Sequence, residues 1–381
     1  MRRSGPFSAV VALSLAPLVG VGQQPLRRER DGWVRTYGAT LPAAARLRIN
    51  GHGPVTVTGG AASPLSYTVR LSVQARSESE ARRILDRAAI QVATQGDSVI
   101  LTAPGGAVMA QVAVTAPRLN AVSIGTTDGT VEANGIAGAV DVNSRAGEIA
   151  VDRIHGRCTL ATGGGNVRIG TVDGPLECTT GGGSIAVRMA RGEARLETYG
   201  GDITADRVDG ELHAQTAGGA VRVRLAGGAV TATTGGGEIV IEKANGTVTA
   251  RNLAGPVDVG AAAGVHCESA SGGVRLSRIV GPMRVSTSMG NIVADLLGAR
   301  LTDSFLATAS GDITVRIPSD IGVTIRAENA MADSMRRIVS DFPALAARRQ
   351  GNRLVAQGSV NGGGPLLQIS DTGGTIFIRR R

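Results

Sequence analysis

Aromatic side chains are nearly missing from this chain: one Trp, three Tyr and four Phe in 381 residues. The repeat region described below holds a single one, Tyr199. Without aromatics there is no platform on which bases could stack, so nucleic acid is a poor partner despite a formal charge of +9. Histidine is equally scarce. His52, His155, His213 and His266 are widely spread, and the last three fall at unrelated places in distant repeats, so they do not converge on one metal. There are three cysteines, Cys158, Cys178 and Cys267. They read as small buried hydrophobes, with their redox state left open. No Gly-x-Ser-x-Gly elbow and no phosphate-binding loop occurs. Only Phe7 to Val21 forms a long apolar run, preceded by Arg2 and Arg3. It is too short to span a membrane comfortably and reads as the core of a secretory signal, with cleavage after Gly22. No Cys lies near that site to carry a lipid anchor. The expectation is an exported chain (periplasmic, cell-surface or secreted) with no transmembrane segment after signal cleavage.

Glycine, in contrast, is abundant, with 55 residues, and it is periodic. From Gly129 to Gly273 it stands at every ninth residue without a miss. Glycine alone accepts positive φ or very close backbone packing without steric cost, so a periodic glycine predicts a periodic turn. Nine residues leave room for one short strand between turns. The fuller repeat is 18 residues, laid out as units beginning at Ala121, Ala139, Arg157, Pro175, Glu193, Glu211, Ala229 and Thr247, with two shorter units to residue 298. Positions 2 and 4 of each unit are apolar, as in Val140/Val142 and Ala194/Leu196. So are positions 11 and 13, as in Ile149/Val151 and Ile239/Ile241. Alternation of β-branched residues cut by glycine is a strand signal. The predicted fold is all-β: a single-stranded, right-handed parallel β-helix (a β-solenoid) of 18-residue coils, two strands per coil. Ten coils rising about 4.8 Å each would make a thin rod on the order of 48 Å long.

Two further columns accompany this register. Position 6 carries Ser144, Thr162, Thr180, Thr198, Thr216 and Thr234, a candidate hydroxyl ladder. Position 14 carries Arg188, Asp206, Arg224 and Glu242, alternating in sign, a candidate ladder of exposed ion pairs. Around the repeats we expect a signal peptide at 1–22, an N-terminal region at 23–120 and closing strands at 299–381. Residues 23–32 read as a leader without structure. Strands are predicted at Val55–Thr58, Tyr67–Val73, Val99–Thr102 and Val112–Thr115. A helix over 78–93 opens with the capping pair Ser77 and Glu80 and covers an end of the solenoid. C-terminal strands are predicted at Asp312–Ile317, Gly322–Ala327, Leu366–Ser370 and Thr375–Arg379, with 330–349 as an irregular loop containing one helical turn.

The coil motif Gly-Asp-Ile-Thr occurs at 201–204 and again at 311–314. The run Ile-Val-Ser-Asp-Phe-Pro stands at 338–343, and Gly-Gly-Gly-Pro-Leu-Leu-Gln-Ile with Thr-Gly-Gly-Thr-Ile-Phe-Ile closes the chain at 362–369 and 372–378. On these motifs, over roughly residues 40–381, the chain resembles the bacterial exported putative-adhesin family of β-strand-repeat proteins, a domain of unknown function akin to the auto-transporter adhesin head domain. The resemblance implies a right-handed β-helix outside the cytoplasm, with no catalytic residue to carry over.

From the residues themselves, the sequence assigns no catalytic, cofactor-binding or metal-binding residue and no cofactor. The acids that follow the position-9 glycines, among them Glu148, Asp202 and Glu238, do not repeat as a calcium-binding nonapeptide roll requires. Three readings stand: a non-enzymatic envelope interaction module, a carbohydrate-active β-helix lyase or hydrolase, and an extracytoplasmic sensor or scaffold acting through a protein partner. The enzyme would have to use Asp202 and Asp206 with Arg188 or Arg224. For the first reading, the arginine-dominated charge points to an acidic polysaccharide or an anionic envelope surface.

Overall fold

Residues 22–30, 32–296, 301–331 and 337–381 are described by a computed structural model of the chain. Most of the signal-peptide segment, residues 1–21, lies outside them. Strand makes up 59% of the chain and helix 4%, and the strands wind into a β-solenoid with coils of about 18 residues. Among the described residues no helix is long and apolar enough to cross a membrane. The chain divides into two compact units, Met1–Gly156 and Arg157–Arg381.

The second unit shows the coil in its most regular form. Each coil has a first strand at positions 2–6, such as Ala194–Thr198, and a second at positions 11–16, such as Ile203–Val208. Successive first strands pair in parallel one coil apart, as in Ala194↔Leu212 and Leu196↔Ala214, and so do second strands, as in Ile203↔Val221. Positions 2, 4, 11 and 13 are buried, as the alternation predicts: Leu196, Ala214, Ile203 and Ala205 are fully enclosed. A fifth apolar column is buried as well, at position 16: Val172, Ala190, Val208, Ala226 and Ala244. It lies out of phase with 11 and 13. The ladder skips position 14, passing from Ala205↔Val223 to Arg207↔Leu225, and positions 14 and 15 both face solvent before the strand turns inward again.

The glycine column owes less to turn conformation than its period suggests. Of the seventeen periodic glycines only Gly129 and Gly255 have positive φ. Most of the others stand where stacked corners touch. A Cβ on Gly210 would sit 2.7 Å from the carbonyl group of Gly192, and one on Gly228 would sit 2.8 Å from the Gly210 carbonyl oxygen. At Gly183, Gly201, Gly219 and Gly237 the carbonyl oxygen of the preceding corner is closer still.

The threonine column does not form a hydroxyl-to-hydroxyl ladder. These side chains point inward and are buried, and each ties two corners together. Thr216 Oγ1 donates to the Gly201 carbonyl at 2.9 Å and accepts from the Gly219 amide at 3.1 Å. Thr180, Thr198 and Thr234 repeat the pattern on their own corners. A buried amide and a buried carbonyl that the tight corner would strand are thereby satisfied.

The second unit ends out of sequence order. The strands Ser304–Ser310 and Ile313–Ile317 pair in parallel with Leu366–Asp371 and Ile376–Arg380, partners 63 residues along (Ile313↔Ile376). The intervening strands Val323–Asn329 and Ile338–Ser340 stack beyond that last coil. Arg353–Val360 and Arg348–Gln350 continue the first of these edges antiparallel. The loop expected over 330–349 therefore contains two short strands and the 3₁₀ turn Pro343–Leu345.

The first unit mirrors this arrangement. Arg46–Gly51 and Val55–Thr58 form a coil lying between the coil Ser98–Thr102/Met109–Thr115 and the coil Ala121–Thr126/Val131–Ile136. Ser66–Val73 and Gly32–Thr40 extend one edge antiparallel. The segment expected to lack structure, 23–32, contributes the short strands Gly22–Gln23 and Arg27–Glu29, both paired with Gly32–Thr40. The helix is Glu78–Arg87, shorter than predicted. Ser77 Oγ caps it by accepting from the Glu80 amide, and Ala81 and Leu85 are its buried face. Val92 belongs instead to the strand Gln91–Gln95, which pairs antiparallel with Ser98–Thr102. A hairpin partner outweighs helical periodicity there.

Candidate functional site

The outward side chains of the two sheets differ in charge, and the coils dictate this through period two. In the second unit the first strands present Arg195, Arg251 and Arg284 together with Glu177, Glu197 and Glu268, a balanced set. Arg195 is ion-paired with Glu197, and Arg251 bonds Glu268 at 3.1 Å. The second strands present Arg168, Arg188, Arg207, Arg222, Arg224, Lys243, Arg275, Arg278 and Arg316, against only Asp206, Glu242, Asp258 and Asp295. The second strands thus carry a cationic excess that the first strands lack, partly offset by the flanking acids Asp202, Asp209 and Glu238.

Part of the cationic charge is internally neutralised. Arg222 spans Asp202 at 3.2 Å and Glu238 at 2.7 Å, and Arg316 bonds Asp295 at 3.2 Å. Arg224, Lys243, Arg275 and Arg278 have no ion pair among the described residues. The predicted sign-alternating ladder at position 14 is not formed. Arg188 donates to Thr171 at 2.8 Å, while Asp206, Arg224 and Glu242 make no ion pair among the described residues. The strand bends at this position, so stacked side chains there are not held face to face.

The carboxylates expected of an enzyme do not converge. Asp202 is committed to the fold: its Oδ1 accepts the Ala220 amide of the next coil at 2.8 Å. Asn166, Asn291 and Asp312 do the same for the amides of Ser184, Asp312 and Thr375. This explains the Gly-Asp-Ile-Thr motif at 201–204 and 311–314. Its glycine permits corner contact, its Asp caps the next coil, and its Ile is buried. Asp206 lies four residues further along the same strand, roughly 13 Å by strand rise. That exceeds the separation of about 5–9.5 Å between paired glycosidase carboxylates.

A shallow trough of about 410 Å³ runs along positions 1, 2 and 3 of successive coils. Arg157, Glu177, Glu193, Arg195, Glu211 and His213 rim it, with Leu176, Ala194 and Leu212 at the base. His213 and His266 stand on strands three rungs apart, and His266 bonds Glu268 at 3.1 Å. Among the described residues no group of three or more His, Cys, Asp or Glu is placed to hold a metal ion. The cysteines are free and buried. Burial pushes the thiols of Cys158 and Cys267 up to about 12, and that of Cys178 higher still, with Cys158 adding to the shift.

Sequence reasoning missed the facial asymmetry because it treated charge as a total. The signal was present, since the charges at positions 12, 14 and 15 belong to one strand and those at 3 and 5 to the other.

No protein-family model matches the chain. No curated protein matches it either. Among solved structures, it is similar to a putative adhesin from Bacteroides fragilis, at 13% identity over 70% of this chain and 96% of that one, with a TM-score of 0.31. It is also similar to a putative adhesin from Parabacteroides distasonis, at 10% identity over 75% and 98%, with a TM-score of 0.28. A putative cell adhesion protein from Clostridium sporogenes is similar at 9% identity over 95% and 100%, with a TM-score of 0.17.

Proposed function

We propose that this chain is an exported, non-enzymatic, adhesin-like β-solenoid that engages an anionic polymer of a cell envelope or surface through the second-strand face of its second unit. The observation that carries this reading is the unequal charge of the two faces. Arg224, Lys243, Arg275 and Arg278 project from one side without an internal counter-ion among the described residues. A flat sheet with a fixed rung spacing offers many weak charge contacts at once, and multivalency converts these into useful affinity without a deep pocket. Long loops between coils would favour a substrate cleft, yet the repeat corners are short, and Asp202 is occupied as a backbone cap.

The test is retention of the purified protein on immobilised acidic and neutral polysaccharides across a salt series, with reducing-end release assayed in the same wells. Binding to acidic polymers that weakens with salt supports the proposal, because exposed charge contacts are screened over about 8 Å at physiological ionic strength. Replacing Arg224, Arg275 and Arg278 by Gln should lower the affinity about tenfold, while replacing Arg195, Arg251 and Arg284 should leave it unchanged. Salt-insensitive binding, or release of product, would refute it.

A further inference from the structure

Beyond the uncharged Thr171 and Met189, position 15 of the second unit carries a pattern of its own over five rungs. Successive rungs present Arg207, Leu225, Lys243, Ala261 and Arg278. Arg207 is registered with Leu225, Leu225 with Lys243, and Ala261 with Arg278. Cation and apolar residue alternate, and each rung rises about 4.8 Å, so the cations recur at about 10 Å. The cationic members are exposed, while Leu225 and Ala261 are half-buried between them. Arg207 is ion-paired with Asp209 through its Nε at 2.6 Å, with its guanidinium on the exposed side of the strand. Lys243 and Arg278 have no ion pair among the described residues.

We infer that this column takes a linear polysaccharide in which an anionic sugar alternates with a neutral one, laid along the coil axis with one sugar per rung. The inference deepens the proposed function and rests on it. A rung is close to the advance of one pyranose in an extended chain. Every second sugar would then bring its carboxylate or sulfate to Arg207, Lys243 or Arg278. The neutral sugars between would lay their C–H faces on Leu225 and Ala261. A polymer charged on every sugar would instead place an anion against Leu225 and Ala261, losing water there without gaining a partner.

The experiment measures binding of the full chain to three size-matched probes: an alternating uronate–N-acetylhexosamine polymer, a homopolymeric polyuronate and a neutral glucan. The expected result is preference for the alternating polymer. Joint replacement of Arg207, Lys243 and Arg278 by Gln should lower that affinity about tenfold, the combined effect of three exposed charge contacts. Placing cations in the gaps, Leu225→Arg with Ala261→Arg, should shift preference to the homopolyuronate. Equal binding of the two polyanions by the unaltered chain, or gap-filling that leaves the preference unchanged, would overturn the spacing inference while leaving the proposed function standing. Binding to neither polyanion would overturn both.

Discussion

Gly218 and Gly219 are neighbours in the chain, yet alanine should act on them in opposite directions. At Gly218 a Cβ would meet nothing nearer than the Gly200 carbonyl oxygen at 3.9 Å, an ordinary contact, and the residue is exposed. Its φ is not positive, so Gly218→Ala restricts the unfolded chain without straining the folded one and should stabilise by about 0.4–1 kcal/mol. At Gly219 the added carbon would overlap the Gly201 carbonyl and the Asp202 amide of the coil below. The backbone there cannot step aside, because Thr216 bonds both the Gly201 oxygen and the Gly219 nitrogen. Gly219→Ala must therefore spread two rungs and should cost about 2–3 kcal/mol. For a unit of this size that is a fall of roughly 4–12 °C in Tm. A repeat array does not have to unfold in one step, so hydrogen exchange at the amides of residues 199–237 accompanies the thermal scan. Equal effects at the two positions, or a Gly219→Ala protein as stable as its parent, would refute the view that the glycine period exists for corner contact.

Thr216→Val keeps the shape of the side chain but leaves the Gly219 amide and the Gly201 carbonyl without this partner; denaturant titration should register a loss of about 1–3 kcal/mol. Thr216→Ser should retain most of the stability, since Ser269 already serves the Gly272 amide at 2.9 Å in an equivalent corner. The thiols of Cys158, Cys178 and Cys267 should resist iodoacetamide at pH 8 in the folded protein and react fully in denaturant; labelling followed by mass measurement decides it, and rapid alkylation without denaturant would contradict their burial. Two carboxylates should pull stability in opposite directions with pH. Burial raises Asp371 above its usual 3.8, so the folded state holds that proton more tightly and this group makes stability fall as pH climbs through the window above 3.8. The Arg380 amide and the Arg379 guanidinium lower Asp341, so its contribution is present above 3.8 and disappears as pH falls through the lowered value. Carbon-detected NMR titration of both groups should find one midpoint on each side of 3.8.

The coil was legible in the sequence because everything that makes it is local. Gly201, Asp202 and Ile203 specify a corner, a cap and a buried strand start within three residues, and the same order recurs at Gly311, Asp312 and Ile313. Alternation at positions 2 and 4 and at 11 and 13 predicted which residues would be enclosed. The column at position 16 was also written in the sequence, as Val172, Val208 and Ile279, but it is out of phase with the alternation because the strand bends at 14 and 15. The cationic face is of mixed legibility: its residues are evident, while the ion pairs that neutralise Arg222 and leave Arg224 free depend on how far a bent strand lets side chains lean.

Tertiary structure alone decided the ends. Nothing near Leu366 states that its strand will lie between Ser304–Ser310 and Val323–Asn329, or that Arg46–Gly51 will lie between Ala121–Thr126 and Ser98–Thr102. Pairing across 63 residues is chosen by which apolar faces remain uncovered once the regular coils have formed, and by the need to terminate open sheet edges with short or antiparallel strands. Those are competitions among whole strands, settled by what each would leave exposed, and a local pattern of residues carries no record of the outcome.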